Sequence, residues 1–346
     1  MNLKISIVIN NYNYAQWLQD AIESALSQTF SNIEVIVVDD GSTDTSRDII
    51  EKYVTMGSII PVFKKNGGQA SAFNCGFLAS SGDIVIFLDA DDVLFPNACG
   101  EVAEVWNSSL AKIQWMLNLT DEMLQPLRKV YPIWKVYSNQ NVATILAKYS
   151  WYPFSPTSGN AFSRWYLKEI LPLSEEPWRI SADLPLNLNA PFYGKVKFID
   201  KILGYYRQHG KQHTRDSVFY RNYYHFLLEK QRILRDGCKR CGLHWSKILA
   251  PPDYRCLLIN SFSSTDSNVK KHTIALKGAY SVVRYPYFTP IQKLLYFCWF
   301  IIAGYLPKID FIKRHFVSFQ VFDNYREKYD NLADRTIQVL KQMFNF

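Results

Sequence analysis

Three carboxylates fall within four positions at Asp89, Asp91 and Asp92, directly behind the apolar run Ile84-Val85-Ile86-Phe87-Leu88. Such a run reads as a buried strand. Its interior cannot hold unpaired charge, because desolvating a carboxylate is costly unless it is paired or metal-bound. The acids therefore belong where the strand emerges. Side chains alternate along an extended chain, so Asp89 and Asp91 are expected to point one way and Asp92 another. Two carboxylates aimed at one spot need a cation or hydrogen-bond donors between them. Hard divalent ions take oxygen ligands, often one or two carboxylates plus substrate phosphates. A site for a nucleoside diphosphate is the sharper reading; a polar strand-to-helix turn capped by Asp92 is the plainer one.

The elements around this motif alternate. Residues 5–9, 33–38, 59–63 and 84–88 read as strands. Residues 15–27, 44–56 and 69–80 read as helices, and Pro96 suits the first turn of another. The apolar strands are continuous, as in a parallel sheet covered on both faces. This βαβ rhythm implies a right-handed, doubly wound α/β sheet. Ligands of such sheets bind outside the carboxyl ends of the strands. Polar clusters stand at all four ends: Asn10-Asn11-Tyr12-Asn13, Asp39-Asp40-Gly41-Ser42, Asn66-Gly67-Gly68-Gln69 and Asp89–Asp92. Neither Gly-x-Gly-x-x-Gly nor Gly-x-x-x-x-Gly-Lys follows the first strand, which disfavours a dinucleotide dehydrogenase or a P-loop enzyme.

The 346 residues, 48% of them apolar, suit two domains, expected at 1–212 and, mainly helical, at 213–346. The net charge of +8 is uneven, since residues 201–346 carry 24 Lys/Arg against 10 Asp/Glu. A basic second part suits an anionic partner such as membrane headgroups or a phosphate-linked acceptor. Cys238 and Cys241 have the spacing of half a zinc site; with no second close pair, free thiols are expected. The strand-like opening is no signal peptide, and a cytoplasmic location is expected. The uncharged residues 294–306 fall short of the about 20 residues of a spanning helix, so they read as a buried helix or a patch lying on a membrane.

At these clusters the chain resembles the family 2 glycosyltransferases, inverting enzymes of GT-A fold with a mostly parallel, Rossmann-like sheet flanked by helices. The resemblance runs from about Ile5 to His209. It includes Ser6-Ile7-Val8-Ile9-Asn10-Asn11-Tyr12-Asn13, Val37-Val38-Asp39-Asp40-Gly41-Ser42, Asn66-x-Gly68-Gln69-x-x-Ala72-x-Asn74-x-Gly76 and Leu88-Asp89-Ala90-Asp91-Asp92. It implies that Asp40 accepts from the base N–H of a pyrimidine, with Asn10 and Tyr12 beside that base and Gln69 on the pocket wall. It implies Asp89 near the ribose or phosphates and Asp91 as ligand of Mn²⁺ or Mg²⁺. Asn74 and Gly76 are expected to be structural, Gly76 allowing a close helix approach. The family places an acidic pair before a Leu-rich helix; here Ala182 replaces its first acid and leaves Asp183 as candidate catalytic base. The ending Tyr205-Tyr206-Arg207-Gln208-His209 suggests that Arg207 meets the diphosphate and His209 the metal, with Lys211, His213 and Arg215 as a basic lid. Ser158-Gly159-Asn160 and Trp178 lie where an acceptor is expected.

The expected activity is inverting transfer of a hexosyl or N-acetylhexosaminyl group from a UDP-sugar to a glycan or lipid-linked acceptor, peripherally at a membrane face, without nucleic acid. A sugar nucleotidyltransferase and a non-catalytic glycan- or membrane-binding module remain as alternatives.

Overall fold

The computed structural model describes residues 3–132, 141–210, 217–262 and 268–305. The expected lid at Lys211, His213 and Arg215 and the expected boundary at 212–213 lie outside them. The described residues fall into two compact units. One is built from residues up to Asp253 with Arg284–Tyr287, the other from Tyr254–Val283 and the residues from Phe288 onward.

The chain opens with β1 (Ile5–Asn11), α1 (Ala15–Leu26), β2 (Ile33–Asp39), α2 (Ser46–Thr55), β3 (Ile60–Phe63), α3 (Gln69–Ala79) and β4 (Ile84–Asp89). A short strand, β5 (Val93–Leu94), then precedes α4 (Ala98–Val105), so Pro96 lies ahead of that helix rather than in its first turn. Next come β6 (Leu110–Thr120), β7 (Pro126–Tyr131), α5 (Val142–Tyr149), a 3-10 turn over Thr157–Gly159, β8 (Asn160–Ser163), α6 (Arg164–Ile170), α7 (Asp183–Tyr193) and β9 (Lys195–Arg207). The described C-terminal region is helical: α8 (Ser217–Arg240), α9 (Pro251–Phe262), α10 (Asn268–Arg284) and α11 (Pro290–Tyr305). No helix among the described residues is long and apolar enough to cross a membrane.

The first unit is organised on one sheet in the order β3-β2-β1-β4-β8-β6-β9-β5, with β7 on β6. Its first four strands are parallel, as the βαβ rhythm requires. Beyond β4 the sheet becomes mixed: β8 pairs antiparallel with β4 and β6, β9 runs parallel to β6, and β5 closes antiparallel on β9.

The middles of β1, β2 and β4 are apolar because both faces are covered there. Val8, Ile36, Val38, Val85 and Phe87 pack on the side of Phe73 from α3 and Leu186 from α7. Ile7, Ile9, Val35, Val37, Ile86 and Leu88 pack on the other side with Leu18 and Ile22 of α1. A Cβ at Gly76 would overlap Val8 Cγ1, so α3 approaches β1 as closely as it does only through that glycine. Asn74 is structural too, exchanging two hydrogen bonds with the backbone of Leu173 at 2.8 and 2.9 Å.

Candidate active site

The strand register carries the polar clusters to one edge. Asn10 of β1 stands beside Asp89 of β4, and Asn11 beside Asp39 of β2. A cavity of about 280 Å³ opens there. Its walls include Asn10, Tyr12, Asp40, Gln69, Asp89, Asp91 and Asp183. Seven of the nine site residues expected from the sequence thus share one space. Arg207 and His209 stand behind it.

Asp89, Asp91 and Asp92 present one carboxylate oxygen each within 4.8 Å of one another, a group able to hold a metal ion. The expectation that Asp92 points away is corrected. The strand ends at Asp89, and the backbone N–H of Asp92 turns back to the carbonyl of Asp89 at 3.1 Å, so alternation stops there. Asp92 is fully buried and accepts from Ser158 Oγ at 2.5 Å and from the Arg207 backbone N–H at 3.0 Å. Asp89 accepts from Asn10 Nδ2 at 2.8 Å and Gln69 Nε2 at 3.2 Å. Burial first, then the neighbouring Asp91, pushes the Asp89 carboxyl up to about 7. Burial and both neighbouring acids push Asp92 well above the usual carboxylate range. Burial and the same three acids hold the Tyr14 hydroxyl, on the cavity wall, protonated far into alkali. Crowded like charges of this kind favour a cation among them.

Arg207 is 2% exposed, and its guanidinium donates to the carbonyls of Asp91 (2.8 Å) and Glu122 (2.6 Å) and to Asp20 Oδ2 (2.6 Å). It holds the acidic loop from behind and does not line the cavity. His209 Nε2 lies 2.8 Å from Asp91 Oδ2, and its ring stacks on Trp17 at 4.0 Å. It is outside the three-acid group and fixes one member of it.

Asp40 ends in a different bonding pattern. Its carboxylate accepts from Lys64 Nζ (2.5 Å), Gly68 N (2.7 Å), Gly67 N (2.9 Å) and Asn66 Nδ2 (3.2 Å). It thereby shapes the loop into α3. Gly68 makes this possible, with φ +87° and no room for a Cβ against the Arg179 backbone.

Asp183 is the first residue of α7, and Ala182 before it caps no side-chain bond. The helix start is fixed from the sheet side, since Gln69 Oε1 accepts the Ala182 N–H at 2.9 Å. Burial pushes the Asp183 carboxyl up to about 6, with Lys112 and the N–H groups of Asp183 and Leu184 pulling the other way. Two expected acceptor positions lie elsewhere. Trp178 is 2% exposed, in ring contact with Phe226 at 5.4 Å, and Asn160 spends its amide on carbonyls of its own loop.

Residues 6–169 match the family described as Glycosyl transferase family 2. A glycosyltransferase of Nostoc sp., itself named as uncharacterized, is 40% identical over 211 residues, covering 60% of this chain and 66% of that protein. Over residues 6–169 the chain is similar to glycosyl transferase family 2.

The matched span is just under two thirds of the Nostoc protein's length, and under a third of the next relatives'. Two solved structures share the fold. Staphylococcus aureus TarS 1-349 in complex with UDP aligns at a TM-score of 0.51 with 16% identity, over 96% of this chain and 95% of that one. The Pyrobaculum calidifontis mannosyltransferase PcManGT, in complex with GDP-Man and Mn²⁺, aligns at 0.51 with 14% identity, over 94% and 88%.

Some residues of this site escaped the sequence: Thr157 and Arg179 line the cavity. Ser158, expected near an acceptor, instead bridges Asp92 to the Asp89 backbone N–H. They come from loops whose approach depends on the mixed half of the sheet, which has no period to read. Lys112 did leave a signal, being a lone cation inside the apolar strand β6.

Proposed function

We propose that this chain transfers a hexosyl or N-acetylhexosaminyl group from a UDP-sugar to a hydroxyl of a glycan or lipid-linked acceptor, with inversion. The observation that carries the reading is the shared cavity: Asp40, Asp89, Asp91 and Asp183, far apart in sequence, line one space. Four carboxylates and one guanidinium, that of Arg179, form a poor receptor for an anionic diphosphate by themselves. The Asp89-Asp91-Asp92 group fits a divalent ion by donor type and spacing. Bound there, Mn²⁺ or Mg²⁺ would supply counter-charge to the diphosphate.

The chain's own groups do the rest. The ring of Tyr12 offers a stacking face for the base. Asp40 accepts the base imide N–H by exchanging it for Lys64, the most flexible of its four donors. Asn10 and Gln69 keep Asp89 in place, and His209 and Arg207 keep Asp91 in place. Asp183 takes the proton of the acceptor hydroxyl as that oxygen attacks the anomeric carbon from the face opposite the diphosphate. A carboxyl with its midpoint near 6 suits a base at neutral pH. The basic surplus after residue 200 favours an acceptor carrying phosphate, presented at a membrane face, with the chain acting peripherally on its cytoplasmic side.

The test is UDP release from UDP-glucose, UDP-galactose and their N-acetyl forms with Mn²⁺, for the full chain and for Asp183→Asn. At least one donor is expected to be turned over by the wild type alone. Failure of every donor to bind, or equal turnover by both proteins, would remove the proposal.

A further inference from the structure

Lys112 is a fully buried charged side chain that the transfer scheme leaves unused. It sits in β6 with none of its surface exposed. Its Nζ donates to Gln114 Oε1 at 2.7 Å and to the Tyr152 hydroxyl at 3.3 Å. The rings of Tyr152 and Phe154 lie 5.4 Å away and that of Phe162 6.0 Å away. An apolar residue of similar volume would fill this space without the cost of burying an amine. Burial drives that amine well below the ordinary lysine range, and the one carboxylate whose field opposes the drop is Asp183.

A bonded path joins the two. The Tyr152 hydroxyl, accepting from Lys112, donates to the Asn187 carbonyl at 2.7 Å. Asn187 lies one helical turn after Asp183 in α7, and its Nδ2 is 3.4 Å from Asp183 Oδ2. The Asn187 Oδ1 is buried without a hydrogen-bond partner, so its amide is oriented by Asp183 alone. The titratable groups facing the pair are few. Tyr152 touches Lys112, and Asp183 acts on Asp89 across the cavity. Tyr166 stands next to Tyr152, its own hydroxyl spent on the Leu186 carbonyl at 2.6 Å.

Resting on Asp183 as the transfer base, we propose that Lys112 is its positioning residue: from beneath α7 it tethers the first turn through Tyr152 and Asn187 and supplies the buried positive charge that favours the ionised base. The acceptor hydroxyl meets the cavity side of Asp183, and Lys112 acts from the core side.

The experiment titrates Asp183 itself in the full chain, free of metal and donor, by carbon NMR of aspartate-labelled carboxyl groups. The resonance missing from Asp183→Asn identifies it. In Lys112→Met the Asp183 midpoint is expected to rise by about half a pH unit or more, since an opposite charge is removed. Lys112→Gln, which keeps a donor for Tyr152, is expected to move it the same way and serves if the Met variant fails to fold. A midpoint within about 0.2 units of wild type in the folded variants overturns the proposal. UDP release by Asp183→Asn is measured separately. Full turnover there would remove Asp183 as the base, whatever the titration shows of Lys112.

Discussion

Gln69 reaches Asp89 with its amide nitrogen, 3.2 Å from Oδ1, while its amide oxygen holds the Ala182 N–H at 2.9 Å. One side chain thus joins the acid at the end of β4 to the start of the helix that carries Asp183. Gln69→Ala is expected to slow transfer by 10- to 100-fold, on the order of what a displacement near 1 Å costs. Donor affinity, read by UDP protection against thermal unfolding, should fall much less. An equal loss in both would assign Gln69 to binding only.

Asp183 supplies the pH dependence. Its carboxyl is pushed up to about 6, and only the ionised form accepts a proton. The rate should therefore be level above about pH 7 and fall roughly tenfold per unit below pH 6. The same shift has a stability sign. A buried acid with a raised folded midpoint disfavours the folded state once ionised. Asp183→Asn should then melt no lower than wild type at pH 8 while losing transfer. A melting point several degrees lower would make Asp183 structural.

Asp40 and Lys64 should separate on substitution. Asp40→Ala removes the acceptor of four donors, two of them backbone N–H groups of the loop into α3, and should abolish UDP protection. Lys64→Ala frees a lone pair for the base and should leave UDP affinity equal or tighter. Calorimetric titration with UDP and Mn²⁺ reads both. A weakening at Lys64 as large as that at Asp40 would show that the lysine belongs to the site.

The opposite edge of the sheet offers a control. Glu34 accepts from Lys4 Nζ, Ser6 Oγ and the Ser81 N–H. Burial raises its carboxyl, but these donors outweigh it and hold the group down at about 2. A depressed acid contributes stability above its unfolded value, lost as pH falls from about 4 toward 2. Glu34→Gln should lower the melting temperature at pH 7, with the gap closing toward pH 2, and leave UDP binding unchanged. A gap that does not depend on pH would contradict the assignment.

The parallel half of this architecture was legible because its physics is local. Strands covered on both faces are apolar in their middles, and the polar clusters at Asn10, Asp40, Gln69 and Asp89 mark where each leaves the core. Asp92 was misjudged because alternation holds only while the chain stays extended, and the chain turns at Ala90-Asp91. Arg207 and His209 were recognisable as belonging near the acids. Which side of the acidic loop they occupy depends on how β9 joins β6, a pairing distant in sequence. Lys112 illustrates the same limit, since a lone lysine in a strand announces a partner without saying that it stands on α7.

The central claim is that Asp91 holds the diphosphate end of a donor whose acceptor is deprotonated by Asp183 in the same cavity. The most direct measurement is the thermal shift produced by UDP with Mn²⁺ in wild type, Asp91→Ala and Asp183→Asn. Wild type and Asp183→Asn should be stabilised alike, and Asp91→Ala should gain nothing from the metal. Full metal-dependent stabilisation of Asp91→Ala, or its loss in Asp183→Asn, would contradict the account.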